Sequence, residues 1–164
     1  MRTLILSPVD RRKILLGKNI TVTLIALVFS TVLLILNTII FQDLSFRAIL
    51  FVALSFVVFA AISSTIGNWI SIRFPKRMRF GKRLNLSGVA GLFLIPMVIL
   101  LAAPPLLATV VGYVTHNLLN VYTSLALMAL LSLGLYFVVL NFQGRLLAAR
   151  EIEILEAVRE PADE

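Results

Sequence analysis

Long stretches without a charged residue constrain this chain more than any other feature of its sequence. Asp, Glu, Lys and Arg are absent between Lys18 and Asp43, between Arg47 and Arg73, and over residues 84–144. A helix that crosses a membrane needs about 20 predominantly apolar residues, so the third stretch can hold two helices and a turn. We therefore predict four spans, at about residues 19–41, 48–72, 86–113 and 118–142.

The spans are predicted to be helices because they are apolar on every face. Strands of a membrane barrel instead alternate apolar and polar residues over about 10 positions. Only 14% of the residues are charged, against about 25% in soluble domains. The predicted fold class is all-α: a polytopic membrane protein with a four-transmembrane-helix bundle, a short N-terminal cytoplasmic helix and a C-terminal amphipathic cytoplasmic helix.

The basic residues lie almost entirely on one side of the predicted membrane, and Arg47 is the exception. The positive-inside rule places both termini and the middle loop in the cytoplasm. Attraction to a membrane surface explains the net charge of +7, so we expect no nucleic-acid partner. The basic groups are Arg2, Arg11, Arg12, Lys13 and Lys18; Arg73, Lys76, Arg77, Arg79, Lys82 and Arg83; and Arg145, Arg150 and Arg159.

These boundaries divide the chain into a cytoplasmic segment at residues 1–18, a transmembrane domain at 19–144 and a cytoplasmic tail at 145–164. The basic loop at residues 73–85 is either a topology anchor or a docking element for a protein or for anionic lipid. In the tail, Ala148, Ile152, Leu155 and Val158 recur at helical spacing. They predict an amphipathic helix over residues 145–160 that packs against protein, because its acidity opposes binding to an anionic leaflet.

Polar residues and prolines inside the spans give local expectations. Three prolines, Pro96, Pro104 and Pro105, predict that span three is bent, with a break over residues 102–106. Hydroxyl side chains in spans one and two are expected to bond to their own helix. We expect Ser63 with Gly67 to allow close helix packing, Asn68 and Trp69 to form an interfacial pair, and the last hairpin to lie near Thr115, His116, Asn117 and Asn120.

The residues that several reaction classes require are missing. No ionisable residue lies inside a span, which argues against a proton relay, and cysteine is absent. Gly81 and Lys82 are followed by Arg83, so they do not form a phosphate-binding loop. His116, the single histidine, is predicted to be a solvated turn residue. We therefore predict no enzyme activity, no catalytic residue, no metal site and no cofactor.

The opening stretch SPVDRRKILLGK has the pattern of a helix start, with Ser7 as N-cap, Pro8 in the first turn and Asp10 close behind. Its apolar residues do not form one face, so it is not a well-formed interfacial helix. Two interpretations remain open. The segment either inserts into a groove on a protein partner or is a charge cluster that stops translocation.

The stretch LILSPVDRRKILLGKN resembles the segment of bacterial ABC transporter permeases of the type-2 exporter class, where a Ser-Pro pair, a basic cluster and Gly-Lys precede a span. The run GNWISIRFPKRMRFGKR, at residues 67–83, resembles a loop of some large permeases in that class. The resemblance implies a permease in the bacterial cytoplasmic (inner) membrane that works with a separate ATPase subunit. The implied ATPase-contacting residues are Ser7, Pro8, Val9, Asp10, Arg11, Arg12 and Lys13.

Members of that class usually have at least six spans, and two of them precede the segment that contacts the ATPase, whereas Met1 stands almost on that segment here. The resemblance therefore implies that further permease spans or a second permease copy complete the transporter, unless the chain is a truncated copy or its start was placed too late. Membrane lipid is the other expected partner. The alternatives are a non-transporting membrane anchor or assembly protein, which would use the tail helix, and a small oligomeric pore.

Overall fold

The computed structural model describes residues 10–41, 45–73 and 88–158, and within these ranges all the regular elements are helices. Four of the helices are long and apolar enough to cross a membrane. This confirms the predicted all-α fold class and the four spans. The helices are α1 (Arg11–Phe41), α2 (Phe46–Arg73), α3 (Gly88–Thr115), α4 (Leu118–Ala149) and α5 (Glu151–Val158).

Helix α4 is the centre of the bundle and contacts each of the other three long helices. Its residues Val121, Leu125 and Ala129 are buried against Val58 of α2 and Ala108 of α3. The three α4 residues are four positions apart, which places them on one side of the helix. The core of α2, α3 and α4 is therefore a narrow apolar seam, and most of the remaining apolar side chains face outward.

Helix α1 is buried against the bundle only near its start. Leu15 packs with Ile72 of α2 and Leu140 of α4 in a second apolar cluster, and Asn19 is the other buried residue of α1. From residue 20 to residue 41 no side chain is buried. The base of α1 is thus fixed, while its remaining 22 positions present an apolar surface to whatever surrounds the bundle.

The hairpin between α3 and α4 lies where the sequence predicts it. Asn117 is the N-cap of α4, and its side chain accepts a hydrogen bond from the Leu119 N–H at 2.9 Å. His116 has a φ of 49°, which is the left-handed region. A Cβ on Gly112 would lie 2.1 Å from Cγ2 of Val121, so this glycine permits the two helices to approach closely.

The predicted break in span three is wrong, because α3 is helical through residues 102–106. The fixed φ of a proline near −65° is compatible with a helix, and what a proline removes is its own N–H donor. Pro104 and Pro105 therefore leave the carbonyl groups of Leu100 and Leu101 without their usual partners, but the backbone continues. The prolines change the hydrogen bonding of the helix and do not end it.

Two helices extend beyond the residues predicted for their spans. The basic residues 11–18 belong to the same uninterrupted helix as span one, and Asp10 caps it by accepting from the Arg12 N–H at 3.0 Å. Residues 145–149 belong to α4, so the tail helix starts only at Glu151. Both segments are rich in Leu, Ala, Arg and Lys, which favour continuation of a helix past the membrane boundary. Ser7, Pro8 and Val9 lie outside the described residues.

Candidate functional site

The start of α1, the end of α2 and the end of α4 meet at one end of the bundle, which we call the basic end. Side-chain contacts at this end join residues far apart in sequence. Lys18 Nζ donates to Ser71 Oγ at 2.9 Å. The Arg11 guanidinium contacts the Glu151 carboxylate through Nη2–Oε1 at 2.6 Å and Nε–Oε2 at 3.2 Å. This bidentate pair ties the start of α1 to the tail helix.

A groove of about 470 Å³ opens at the basic end between the start of α1 and the end of α4. Its floor is tight, because a Cβ on Gly144 would lie 3.3 Å from the backbone of Arg12. Arg12 and Arg145 are exposed on its walls, so the groove is cationic. The residues that line it are Asp10, Arg11, Arg12, Asn141, Gly144, Arg145 and Ala148.

Arg150 joins the tail helix to the end of α2. Its Nη1 donates to the Ile72 carbonyl oxygen at 3.0 Å, and its Nε donates to Glu153 Oε2 at 2.8 Å. The hydrogen bond from Arg150 lowers the pKa of the Glu153 carboxyl, and the same contact raises the pKa of Arg150. Ile154 is buried one position further along. The tail helix therefore packs on its own chain, through one apolar and two ionic contacts.

Buried amides connect the helices one turn further into the bundle. Asn68 Nδ2 donates to Gln143 Oε1 at 3.2 Å, and Gln143 Nε2 donates to the Thr65 carbonyl oxygen at 2.8 Å. Asn19 Nδ2 donates to the Tyr136 hydroxyl at 3.0 Å. Asn68 is 0% exposed, so its amide lies between helices, whereas Trp69 beside it is 46% exposed; the position of this pair at a membrane interface stays a prediction. These bonds hold α1, α2 and α4 together at this depth.

Several hydroxyl side chains of α1 and α2 behave as predicted and donate to the carbonyl oxygen four positions earlier. Thr31 and Thr38 in α1 and Thr65 in α2 do so at 2.8 Å. Among the described residues, three buried polar atoms have no partner: Ser55 Oγ, Ser63 Oγ and Asn68 Oδ1. Buried polar atoms without a hydrogen-bond partner are uncommon in folded proteins. A ligand bound in a neighbouring cavity is one group that can supply the partner.

Two of the unpartnered atoms belong to residues that line a cleft between α1 and α2. The cleft has about 100 Å³ of free space, and Lys18, Asn19, Ser63 and Asn68 lie among its lining residues. Gly67 also lines it, and a Cβ added there would meet nothing within 4 Å. The predicted role of Ser63 and Gly67 in close packing is therefore wrong. The small residues keep a space open, and close approach occurs at Gly112 and Gly144 instead.

The predicted site residues are found in different settings. Asp10, Arg12 and Lys13 are exposed at the basic end, whereas Arg11 is partly buried against Glu151. ATPase contact by these residues stays a prediction. In the basic loop Arg73 is exposed at the end of α2, and the other members, Lys76, Arg77, Arg79, Lys82 and Arg83, lie outside the described residues.

Sequence reasoning missed Asn19, Gln143, Gly144 and Glu151 as contact residues. Asn19 and Gln143 are amides at the ends of long apolar runs, and such residues favour hydrogen bonds between helices. That signal was present, but it does not identify the partner. Comparisons with protein-family models, curated proteins and solved structures find no match to this chain.

Proposed function

We propose that the chain is the membrane-spanning permease component of an ATP-driven exporter of the ABC type. A separate ATPase subunit docks on the cytoplasmic side, and the cationic groove at the basic end receives it. The groove is open, it carries the exposed side chains of Arg12 and Arg145, and it fits an acidic segment of a partner protein. The concentration of basic residues at this end supports a cytoplasmic location.

The observation that carries the proposal is the continuity of α1. The helix runs from the groove at Arg11 to Phe41 without a break, and its buried residues are Leu15 and Asn19 near its base. A displacement of Arg12 by a docked partner is therefore transmitted along a rigid helix to the far side of the membrane. The ATPase would bias the bundle between two packings by binding one of them more tightly.

The apolar surface of α1 also supports a role within a larger assembly. Val28, Phe29, Leu33 and Ile40 are each more than 60% exposed. Lipid can cover such a surface, and so can another membrane helix. In the proposed transporter, further permease spans or a second copy of this chain complete the substrate pathway against it.

A single cysteine at Asp10 tests the proposal in native membranes, since the natural chain contains none. Site-specific crosslinking should capture an ATP-binding subunit, and the yield should change when nucleotide is added. A cysteine at Arg47 is the matched control. This is the basic residue expected on the other side of the membrane, so a cysteine there should not capture that subunit. Capture of lipid alone at Asp10 would contradict the proposal.

Charge reversal tests the same contact by a different readout. Arg12→Glu and Arg145→Glu should each reduce ATPase copurification by about tenfold, the effect of losing a contact of about 1.4 kcal/mol. Arg47→Glu should have no effect. Arg11 is less suitable because its ion pair with Glu151 holds the tail helix. Unchanged association in both groove variants would exclude the groove as the docking site.

An anchor or assembly protein is the second candidate, and the exposed Ile152 favours it. This residue is 75% exposed on a helix whose Ile154 is buried, so α5 keeps an apolar side chain available for a partner. Under this alternative, removal of residues 151–164 abolishes function, whereas Arg12→Glu and Arg145→Glu are tolerated. The two candidates therefore predict opposite results from the same three variants.

A further inference from the structure

The cleft between α1 and α2 combines a charged end, unpartnered buried polar atoms and an apolar length. We propose that it is a binding site for one anionic phospholipid, whose headgroup lies at Lys18 and whose acyl chain extends toward Ala26. The proposal concerns the chain by itself. It does not depend on an ATPase or on transport.

The charged end fits a phosphate. Lys18 is partly buried at the mouth of the cleft, and one of its three ammonium protons is used by Ser71. The ion pairs described at this end join Arg11 to Glu151 and Arg150 to Glu153. Among the described residues, therefore, no carboxylate neutralises Lys18, and two of its donors remain for a lipid phosphate.

Two unpartnered atoms belong to residues that line the same cleft as Lys18. Asn68 is 0% exposed, its Nδ2 is held by Gln143, and its Oδ1 has no partner. Ser63 Oγ, five residues earlier on α2, is also buried without a partner. An unpaired polar group costs several kcal/mol in hydrocarbon. Ser63 can donate its O–H to an ester carbonyl of the lipid, which lies between the phosphate and the acyl chain.

The rest of the cleft is apolar and runs along the helices. Val22 and Ala26 on α1 face Phe56, Phe59 and Ala60 on α2. Eight residues separate Lys18 from Ala26, a distance of roughly 12 Å along a helix. An acyl chain lying between these walls would continue directly from a headgroup at Lys18. The order of charge, hydrogen-bonding groups and apolar surface is the order found in a phospholipid, and phosphatidylglycerol supplies all three.

The test uses the full chain in bilayers of phosphatidylcholine that contain a small fraction of phosphatidylglycerol with a photoreactive acyl chain. Labelled peptides are then mapped by mass spectrometry. We expect labelling to concentrate on residues 22–26 and 56–60. A phosphatidylcholine probe with the same chain should label these residues about fivefold less, because one basic contact near the surface is worth about 1 kcal/mol.

Two matched pairs of variants separate the site from general lipid contact. Gly67→Leu fills the cleft, while Gly134→Leu adds the same side chain at another helical glycine with open space around it, outside the cleft. Lys18→Gln removes the charge at the cleft, while Lys13→Gln removes an exposed charge at the same end of the chain. Gly67→Leu should abolish the concentrated labelling, and Lys18→Gln should remove the preference for phosphatidylglycerol.

The two control variants should leave labelling unchanged. Even labelling along α1, or an equal effect of Gly67→Leu and Gly134→Leu, would overturn the proposal. Crosslinking of the cleft residues to a polypeptide, in native membranes, would also overturn it, because the occupant would then be a protein helix. A failure of ATPase capture at Asp10 would leave this result unaffected, so the two proposals fail separately.

Discussion

Gln143 has one amide acceptor and two amide donors, and its position between α2 and α4 uses both kinds of group. It accepts from Asn68 and donates to the Thr65 carbonyl, and its own side chain is 1% exposed. Inside a membrane the packing of apolar side chains against each other is not driven by exclusion of water. A directional pair of this kind therefore specifies how α2 and α4 are rotated against each other.

Asn68→Ala should lower the free energy of unfolding by about 1 kcal/mol. Hydrogen bonds between membrane helices average roughly 0.6 kcal/mol, and the variant also leaves the Gln143 acceptor unpaired at some further cost. Trp69, the single tryptophan, follows Asn68 in α2 and stacks on Phe142 of α4, with the ring centroids 6.5 Å apart. Its fluorescence therefore reports on the packing of α2 against α4 beside the amide pair. Its fluorescence should follow reversible unfolding of the purified chain in mixed detergent.

Asn37→Ala is the control for this measurement, because Asn37 is an exposed amide on α1. Its unfolding curve should match that of the natural chain. If Asn68→Ala unfolded at the same denaturant concentration as Asn37→Ala, the buried amide pair would contribute nothing to stability.

At the scale of elements, the two glycines that permit close approach act at opposite ends of α4. Gly144 allows the backbone of Arg12 to reach α4 at the basic end, and Gly112 of α3 allows contact with Val121 near the hairpin. The first contact joins α4 to α1 and the second joins it to α3, and at both points a Cβ on the glycine would be too close to the neighbouring helix. The position of α4 at the centre of the bundle is therefore fixed at two points along its length.

Gly112→Ala should destabilise the protein by about 1–3 kcal/mol, the usual cost of overpacking. The added Cβ would lie 2.1 Å from Val121 Cγ2, and a β-branched side chain has few alternative rotamers. Val121→Ala should remove most of that cost in the double variant. Unfolding of the two single variants and the double variant measures the coupling.

Gly134→Ala provides the comparison, because a Cβ there meets nothing within 4 Å. That variant should be neutral or stabilised by about 0.5–1 kcal/mol, since alanine favours the helix. Equal destabilisation by both substitutions would mean that loss of glycine, and not the contact with Val121, causes the effect.

The tail helix should loosen in acid. Because contact with Arg150 lowers the pKa of Glu153 below its ordinary value of 4.5, the stabilisation is complete above pH 4.5 and is lost as the pH falls through the lowered pKa. Arg150 stays charged over this range, so protonation of Glu153 is the event that weakens the contact. A spin label at the exposed Ile152 should become more mobile as the pH falls.

Glu153→Gln should remove this pH dependence, because its amide does not titrate. The label in that variant should be equally mobile at neutral and acid pH. A label that became mobile over the same pH range in Glu153→Gln would assign the transition to another group.

For the whole molecule, the burial of α1 at its base and its exposure beyond the base determine how the helix can move. The helix extends for about 30 Å beyond Asn19, and none of its side chains in that part is buried. A pivot of about 10° at the base would move the far end by about 5 Å. The same helix can therefore be fixed at one end of the bundle and displaced at the other.

Distance measurements between pairs of spin labels should detect this difference. A pair at Ile39 and Val114, both exposed and remote from the base of α1, should give a broad distance distribution. A pair at Lys13 and Ala148, exposed at the basic end, should give a narrow one. Distributions of equal width would show that α1 is held along its whole length.

The sequence predicts the number of spans because charge is excluded from hydrocarbon wherever the helices lie. It does not predict the cleft or the amide pair. Asn68 and Gln143 are 75 positions apart, and their contact depends on the rotation of helices that are apolar on every side. Nor does it distinguish Gly67, which faces open space, from Gly112, which faces Val121. Those differences arise only when the helices are packed.

The contact between Arg11 and Glu151 can form only late in synthesis of the chain. These residues are 140 positions apart, and a ribosome that adds about 5–20 residues per second needs roughly 7–28 s to make that length. Helix α1 therefore enters the bilayer before α4 and stays there for a time without Tyr136, Leu140 or Glu151. During that interval the charge-free run from residue 19 to residue 41 keeps the helix in the membrane, helped by contacts with Ile72 and Ser71 once α2 is made, and α4 then closes the bundle onto α1.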